Sequence, residues 1–143
     1  MMEHINLVGA DLSSTDMSHL DLNYADLTGA DLTGADLTGS LLAGANLIGA
    51  DLSGATLANT TFQWANLYLA ITTEVELQRL EQLAASGALI GAIMPDGSRP
   101  YPVPEEAEAE IWKHPESELA QRERELGRIA RLLEQQKQQA GPR

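Results

Sequence analysis

The strongest constraint on the fold of this chain is a five-residue period that runs without a gap from Ile5 to Leu69. Its thirteen quintets read INLVG, ADLSS, TDMSH, LDLNY, ADLTG, ADLTG, ADLTG, SLLAG, ANLIG, ADLSG, ATLAN, TTFQW and ANLYL. Leucine holds the middle position in eleven quintets, and Met17 and Phe62 hold it in the other two. Ala usually stands two residues before the middle position, and Asp or Asn usually stands directly before it.

A period of five excludes both common secondary structures. An α-helix turns about 100° per residue, so the leucines would spread around its circumference. A strand alternates its faces, so an odd period would send successive leucines to opposite sides. The chain must instead turn a corner once per quintet, with the middle leucine and the small residue before it facing inward. The other three positions then face water, and glycine relaxes the backbone at the corners, at Gly29, Gly34, Gly39, Gly44, Gly49 and Gly54.

The tandem A-D/N-L-x-x quintets over residues 5–69, about half of the chain, resemble the pentapeptide-repeat family. This resemblance implies an all-β solenoid, a right-handed quadrilateral β-helix with four quintets per coil, in which residues twenty apart stack. The quintets then make little more than three coils, about 15 Å tall at a strand spacing of about 4.8 Å. We expect this solenoid to occupy residues 1–71.

A capping segment is expected over residues 72–98. Thr73 and Glu76 form the pattern of a capping box, which predicts a helix that ends before Gly87. The apolar run that follows resembles the segment found after a helix in many cyanobacterial pentapeptide-repeat proteins. This resemblance implies a strand at residues 88–94 that covers the open end of the coil stack.

The remaining chain is expected to be a linker followed by an α-helical extension. Residues 99–115 combine several prolines with a short acidic helix, which predicts a stiff connection. Residues 116–143 are expected to contain a C-terminal helix that runs to about Gln139 and is about 36 Å long, over twice the height of the solenoid. This helix must dock along the solenoid, pair with another copy or stand in solvent.

The charge of the chain is unevenly distributed. The net charge is −12, and no Lys or Arg precedes Arg79. Such an acidic surface repels nucleic-acid phosphates and anionic lipids. The chain also lacks an apolar stretch of about 18 residues and a basic N-terminal leader pattern. We therefore expect a cytoplasmic protein with no membrane partner and no direct nucleic-acid partner.

The sequence offers little material for catalysis or cofactor binding. It has no Cys, and its three histidines, His4, His19 and His114, are separated along the chain. The glycines fall at fives rather than in a phosphate-binding loop. Single outward carboxylates on successive coils do not converge as calcium ligands do. The sequence predicts a protein that is not an enzyme and that has no metal, cofactor or small-molecule substrate.

Stacking by twenty aligns an acidic ladder on one side of the solenoid. It consists of Asp11, Asp31 and Asp51. The ladder is either a solvated face or a recognition surface for a basic partner, and the sequence leaves both interpretations open.

A second side departs from the repeat at outward positions. Leu41 replaces the usual Asp or Asn, and large aromatic residues occupy corners that elsewhere are often glycine. Contiguous exposed apolar groups usually contact something. The candidate protein-binding residues are Tyr24, Leu41, Ala43 and Trp64.

These features predict a protein-protein interaction or scaffold module that uses a solenoid face and a helical tail. Its partner would be another protein or a second copy, engaged in part through residues 116–139. The alternative is an acidic DNA mimic that inhibits a DNA-binding enzyme such as a type II topoisomerase. The acidity agrees with mimicry, but so short a solenoid would imitate only about half a turn of duplex.

Overall fold

The computed structural model of the protein describes residues 4–72 and 77–140. A coil of parallel β-bridges is followed by three helices, α1 (Leu77–Ala85), α2 (Glu105–Trp112) and α3 (Glu118–Ala140). The expected capping box of Thr73 and Glu76 lies outside the described residues.

Residues twenty apart pair with one another in four parallel rows. We number the four sides of the coil by these rows, which are Asn6–Asp26–Asn46–Asn66, Asp11–Asp31–Asp51–Ile71, Asp16–Asp36–Thr56 and Asp21–Leu41–Thr61. Backbone hydrogen bonds join the coils between the same positions of each quintet. The Leu27 N–H donates to the Asn46 carbonyl at 2.7 Å, and the Asn46 N–H donates to the Ala25 carbonyl at 2.9 Å. The expected repeat solenoid with a C-terminal helical extension is confirmed.

Each quintet ends in a corner whose last residue has a left-handed backbone. Its φ lies between 54° and 70° in all thirteen quintets, seven of which end in glycine. The corner is closed by the next residue, as where the Ala30 N–H donates to the Leu27 carbonyl at 3.0 Å. This is the pattern of a type II turn, which favours glycine at its third position. The six other residues adopt a conformation that side chains disfavour, and they are Ser14, His19, Tyr24, Asn59, Trp64 and Leu69.

The aspartate before each middle residue stabilises the corner that follows. The Asp36 Oδ1 accepts the Thr38 N–H at 3.0 Å and the Thr38 hydroxyl at 2.5 Å. Asp11 makes the same pair of bonds with Ser13. A short side chain that bonds the backbone two residues ahead is the usual Asx turn. This explains why Asp-Leu-Ser and Asp-Leu-Thr dominate the repeat.

The core is a column of leucine and alanine along the solenoid axis. Leu27 and Leu32 are 0% exposed, which confirms the inward position predicted from the period. Ser40 and Thr60 replace alanine inside the column and are also fully buried. Their hydroxyls donate to the carbonyls of Met17 and Leu37, so burial leaves neither group unpaired.

Residues 88–95 form a further partial coil on the C-terminal end. The Phe62 N–H donates to the Ala88 carbonyl at 2.7 Å, and Ile93 forms a parallel bridge with Asn66. Gly91, with φ of 75°, makes a corner like those of the repeat. Ile93 pairs with the residue 27 positions earlier, whereas residues of the repeat pair with the residue 20 positions earlier. The longer connection between these two coils contains α1. Leu83 of α1 joins the core cluster, so helix and partial coil together cover the last full coil.

The two later helices begin with features that suit helix starts. α2 follows Pro104, and its first turn contains three glutamates, which favours the positive end of the helix dipole. The Ser117 hydroxyl accepts the Ala120 N–H at 3.1 Å, which makes Ser117 the cap of α3. None of the helices in the described ranges is long and apolar enough to cross a bilayer.

Replacing Leu32 with Ala should lower the free energy of unfolding by about 2 to 5 kcal/mol, because the cavity would lie in a column with no alternative packing. Leu41, which is 40% exposed, supplies the matched control. Leu41→Ala should change the same free energy by about 0.5 kcal/mol or less. Denaturant unfolding followed by circular dichroism measures both values, and equal values would contradict the assigned register.

Candidate functional site

Helix α3 docks on the solenoid at the corner between the fourth and first sides and extends over the first side, where Leu133 lies beside Gly97 and Tyr68. Its polar contacts climb from the first coil to the last, and they join Glu118 to His4, Arg122 to Gly44 and Glu123 to Trp64. Leu126 and Ala120 of α3 are 0% exposed. Of the three arrangements open to the sequence, the structure shows the helix docked on the solenoid.

Glu123 is the main polar connection between α3 and the solenoid. Its carboxylate accepts the Trp64 indole N–H at 2.7 Å and also pairs with the Arg99 guanidinium. Arg99 in turn donates to the Gly91 carbonyl at 2.9 Å. The side chains of Arg99 and Glu123 are 16% and 11% exposed, so this pair is largely shielded from water. Breaking a buried pair of this kind costs more than breaking a surface pair, because one charge is left uncompensated.

Tyr24 connects the first coil to the start of α3. Its ring stacks on His4 with centroids 5.5 Å apart and planes 21° from parallel. Burial raises the pKa of the Tyr24 hydroxyl, the negative charge of Glu118 raises it further, and Arg122 opposes both. The Arg122 Nη2 donates to the Gly44 carbonyl at 2.5 Å. The phenol therefore stays protonated and uncharged beside α3.

Aromatic rings at the corners lie over glycines of the next coil. A Cβ added to Gly44 would come within 2.4 Å of the Tyr24 ring, and one added to Gly91 within 2.8 Å of the Trp64 ring. In the structure Tyr24 covers Gly44 and Trp64 covers Gly91, because both side chains lean toward the C-terminal end.

The four candidate protein-binding residues are divided by the docking of α3. Tyr24 and Trp64 lie at the corner that α3 occupies, whereas Leu41 remains 40% exposed. Ala43 is half-buried, and its N–H donates to the Asn23 Oδ1 at 2.9 Å. The Leu41 N–H bonds to the carbonyl of Leu20, which is 42% exposed. They are neighbours along the backbone only, because Leu20 holds the inward first position of its quintet, in the row of the buried Ser40 and Thr60, whereas Leu41 holds an outward position. We call the outward surface centred on Leu41 the apolar patch.

The acidic ladder lies on the second side, opposite the fourth. Asp11, Asp31 and Asp51 are joined by parallel bridges, so their side chains stand in one row. The Ser13 hydroxyl and backbone N–H hold the pKa of Asp11 below its usual value. Bonds from Ser53 do the same for the pKa of Asp51. Asp11 and Asp51 are therefore kept ionised by the same turns that form the corners.

A polar cavity of about 450 Å³ separates α3 from the first side. Its lining includes His4, Asp26 and Glu118. The Oδ1 of Asn46 and the Nε of Arg122, both buried, have no hydrogen-bond partner among the described residues. Within residues 4–72 and 77–140, this cavity included, no group of three His, Cys, Asp or Glu side chains is arranged to hold a metal ion.

Sequence reasoning missed the residues that fix α3. Arg99, Arg122 and Glu123 are polar, so their burial is not signalled by hydrophobic periodicity. One signal was present, since Arg122 interrupts the leucines of α3 at a position that would otherwise face inward. An arginine there requires an acceptor on the opposing surface, and the Gly44 carbonyl provides it.

Comparison with known proteins places the chain among repeat proteins. A family model described as pentapeptide repeats matches residues 2–34 and 35–71 with eight copies. HetL, a pentapeptide repeat protein involved in heterocyst differentiation regulation from the cyanobacterium Nostoc sp. strain PCC 7120, is 39% identical with a TM-score of 0.58. The alignment covers 67% of this chain and 41% of HetL, so the chain spans about two fifths of the length of HetL.

A second solved structure is a pentapeptide repeat protein from the Arabidopsis thaliana thylakoid lumen. It is 22% identical over 78% of this chain and 77% of its own, with a TM-score of 0.38. No curated protein matches the sequence.

Replacing Gly44 with Ala should destabilise the fold more than replacing Gly49. Both glycines have φ near 68°, so each substitution carries the left-handed backbone cost of about 1 to 2 kcal/mol. A Cβ at Gly49 meets nothing within 4 Å, whereas a Cβ at Gly44 collides with Tyr24. We expect a further loss of about 1 to 3 kcal/mol for Gly44→Ala in the free energy of unfolding. Equal losses would contradict the stacking of Tyr24 on Gly44.

Acid should weaken the solenoid through its aspartates. The pKa values of Asp11, Asp16, Asp36 and Asp51 are lowered from 3.8 by bonds to the residues two ahead. A lowered folded-state pKa stabilises the fold above the unfolded value, and this contribution is lost as the pH falls through the folded value. The free energy of unfolding should therefore decline below about pH 4.

Asp36→Asn tests whether the corner aspartates cause the loss of stability in acid, because asparagine keeps an acceptor oxygen but takes up no proton. The decline of stability below about pH 4 should be shallower in this variant than in the wild type. Glu134→Gln, at an exposed position of α3, removes one carboxyl outside the turns and is the control. An unchanged decline in Asp36→Asn would show that the corner bonds do not cause it.

Proposed function

This chain belongs to the pentapeptide-repeat family, and we propose that it is a non-catalytic protein-interaction module whose solenoid presents a fixed surface to another protein. The observation that carries this proposal is the apolar patch. Leu41 stays 40% exposed although the docked helix covers the neighbouring corner.

Leu41 is exceptional within the repeat. The residue before the middle position is Asp, Asn or Thr in every other quintet. Leucine there cannot accept the N–H two residues ahead, and Asn23 of the preceding coil accepts the Ala43 N–H in its place. The corner is thus held by a substitute bond, and the exposed leucine adds nothing to the core. An outward apolar group that folding does not require is best explained by contact with a partner.

The docked helix restricts how a partner can bind. Because α3 lies on Tyr24 and Trp64, these aromatic residues act within the chain as anchors of the helix. The surface left for another protein on the fourth side is centred on Leu41. HetL is involved in the regulation of heterocyst differentiation, and a regulatory task performed through protein contact would suit an interaction module of this kind.

The DNA-mimic alternative has less support. The only three-carboxylate row of parallel bridges among the described residues is the acidic ladder, which extends over three coils. Helix α3 places arginines along another flank, so the acidic surface does not encircle the solenoid. A mimic would need a longer run of charge to follow duplex phosphates.

Leu41→Asp should abolish partner binding and leave the fold intact, because it restores the residue type that the repeat prefers. Affinity for the partner should fall by about 2 kcal/mol or more if Leu41 is a hot spot, which is about thirtyfold. The experiment is a quantitative capture from the native host with wild type, Leu41→Asp and the control Asp31→Asn. Proteins lost only from Leu41→Asp, and retained by the wild type at about 1 M salt, would support the proposal.

Two results would contradict the proposal. If Leu41→Asp captures the same proteins as the wild type, the apolar patch is not the contact surface. Capture that depends on Asp31 and disappears steeply with salt would favour mimicry.

A further inference from the structure

A second interaction surface lies on the face of α3 that points away from the solenoid. Arg124, Arg128 and Arg131 are four and three residues apart, so an α-helix places them on one face. Leu126 and Leu133, which pack toward the solenoid side, lie on the opposite face by the same rotation. We call the three residues the arginine stripe.

The arginine stripe is exposed and only partly neutralised. Arg124 donates to the Pro115 carbonyl at 3.1 Å and lies 5.7 Å from the ring centroid of Trp112. Arg128 and Arg131 are both exposed, and neither forms an ion pair with any residue that the structure describes. Two unpaired guanidinium groups thus stand beside a cation held against an indole.

A groove of about 470 Å³ between α2 and α3 runs beside the stripe. Its acidic residues are Glu108, Glu123 and Glu125, of which Glu123 is bonded to Arg99 and Glu125 to Arg122. Trp112, which is 39% exposed, forms part of its wall. The groove therefore has an excess of positive charge on a protein whose net charge is −12.

The spacing of the stripe matches that of the acidic ladder. From Arg124 to Arg131 the helix rises about 10.5 Å at 1.5 Å per residue. From Asp11 to Asp51 the ladder rises two coil spacings, which is about 9.6 Å. The two straight rows are thus nearly equal in length. Each row can therefore meet the other over its full length.

The two rows cannot meet within one chain. Asp31 lies on the second side of the coil, whereas α3 occupies the corner between the fourth and first sides. We propose that the arginine stripe of one copy binds the acidic ladder of a second copy. A contact between unlike surfaces leaves one row free on each partner, so it continues into chains of copies unless it closes into a ring.

The salt dependence of this association has a characteristic form. Repulsion between whole copies of charge −12 opposes the contact at very low salt. At about 0.1 M salt the Debye length is about 10 Å. Salt then screens the repulsion between distant charges but leaves the attraction between charges in contact largely intact. At about 1 M the Debye length is about 3 Å, and the ion pairs weaken too. We expect the mass-average molecular weight, measured by sedimentation at high protein concentration, to be greatest near about 0.1 M salt.

Two variants separate the two surfaces. Arg128→Glu with Arg131→Glu reverses the charge of the stripe. Asp11→Asn with Asp31→Asn removes two of the three charges of the ladder but keeps the acceptors of its turns. Each variant alone should lower the association constant at least tenfold. Asp16→Asn with Asp36→Asn removes the same number of charges from the third side and should leave the constant within about twofold of the wild-type value.

Mixing the two variants gives the decisive result. The stripe of the ladder variant can still bind the ladder of the stripe variant, and no further copy can join the pair. The mixture should therefore form two-chain species and stop, whereas the wild type continues to larger assemblies. A wild-type protein that stays monomeric near about 0.1 M salt would overturn the proposal. So would a mixture without pairs, or an equal loss in the third-side control.

Discussion

Every part of this structure depends on a left-handed corner that returns at each fifth residue. The corner turns the chain from one side of the coil to the next while the N–H and carbonyl groups on either side of it remain bonded to the coils above and below. Only a few conformations meet both conditions, so the sequence between corners has little freedom. The aspartate that accepts the corner N–H, the leucine that points inward and the alanine that fits the crowded axis are consequences of this one backbone requirement.

The solenoid could be predicted from the sequence because the same five-residue pattern recurs along it and each corner depends on residues that are close together in the chain. The inward register of Leu27 and Leu32 followed from the period alone. The partial coil at residues 88–95 was less visible, since Ile93 stands where the repeat has Asp or Asn and its pairing offset differs from twenty. The docking of α3 could not be derived, because it rests on Arg122 and Glu123, whose partners are a backbone carbonyl and an indole on distant parts of the chain. The sequence predicted which side of the solenoid carries the candidate site. It did not predict that Tyr24 and Trp64 lie against α3 while Leu41 stays exposed.

Charge and apolar surface are distributed so that each flank of the molecule has a different character. The fourth side carries the exposed Leu41, the second side carries aligned carboxylates, and the outer face of α3 carries arginines. A regular backbone makes this separation possible, because outward residues can change without moving their neighbours. The few positions that do break the repeat are matched by specific substitutes, such as the Asn23 amide that serves the corner after Leu41.

Helix α3 touches both the first described residues of the coil and the segment that closes its other end. In an unsupported repeat array each unit depends only on its neighbours, and the ends can open while the middle stays folded. Here, loss of the first coil would also remove the partner of Glu118, and loss of the closing segment would remove the Arg99 contact of Glu123. The helix therefore acts as a brace that couples the two ends. A stack that would otherwise unzip coil by coil is made to open as a single cooperative unit.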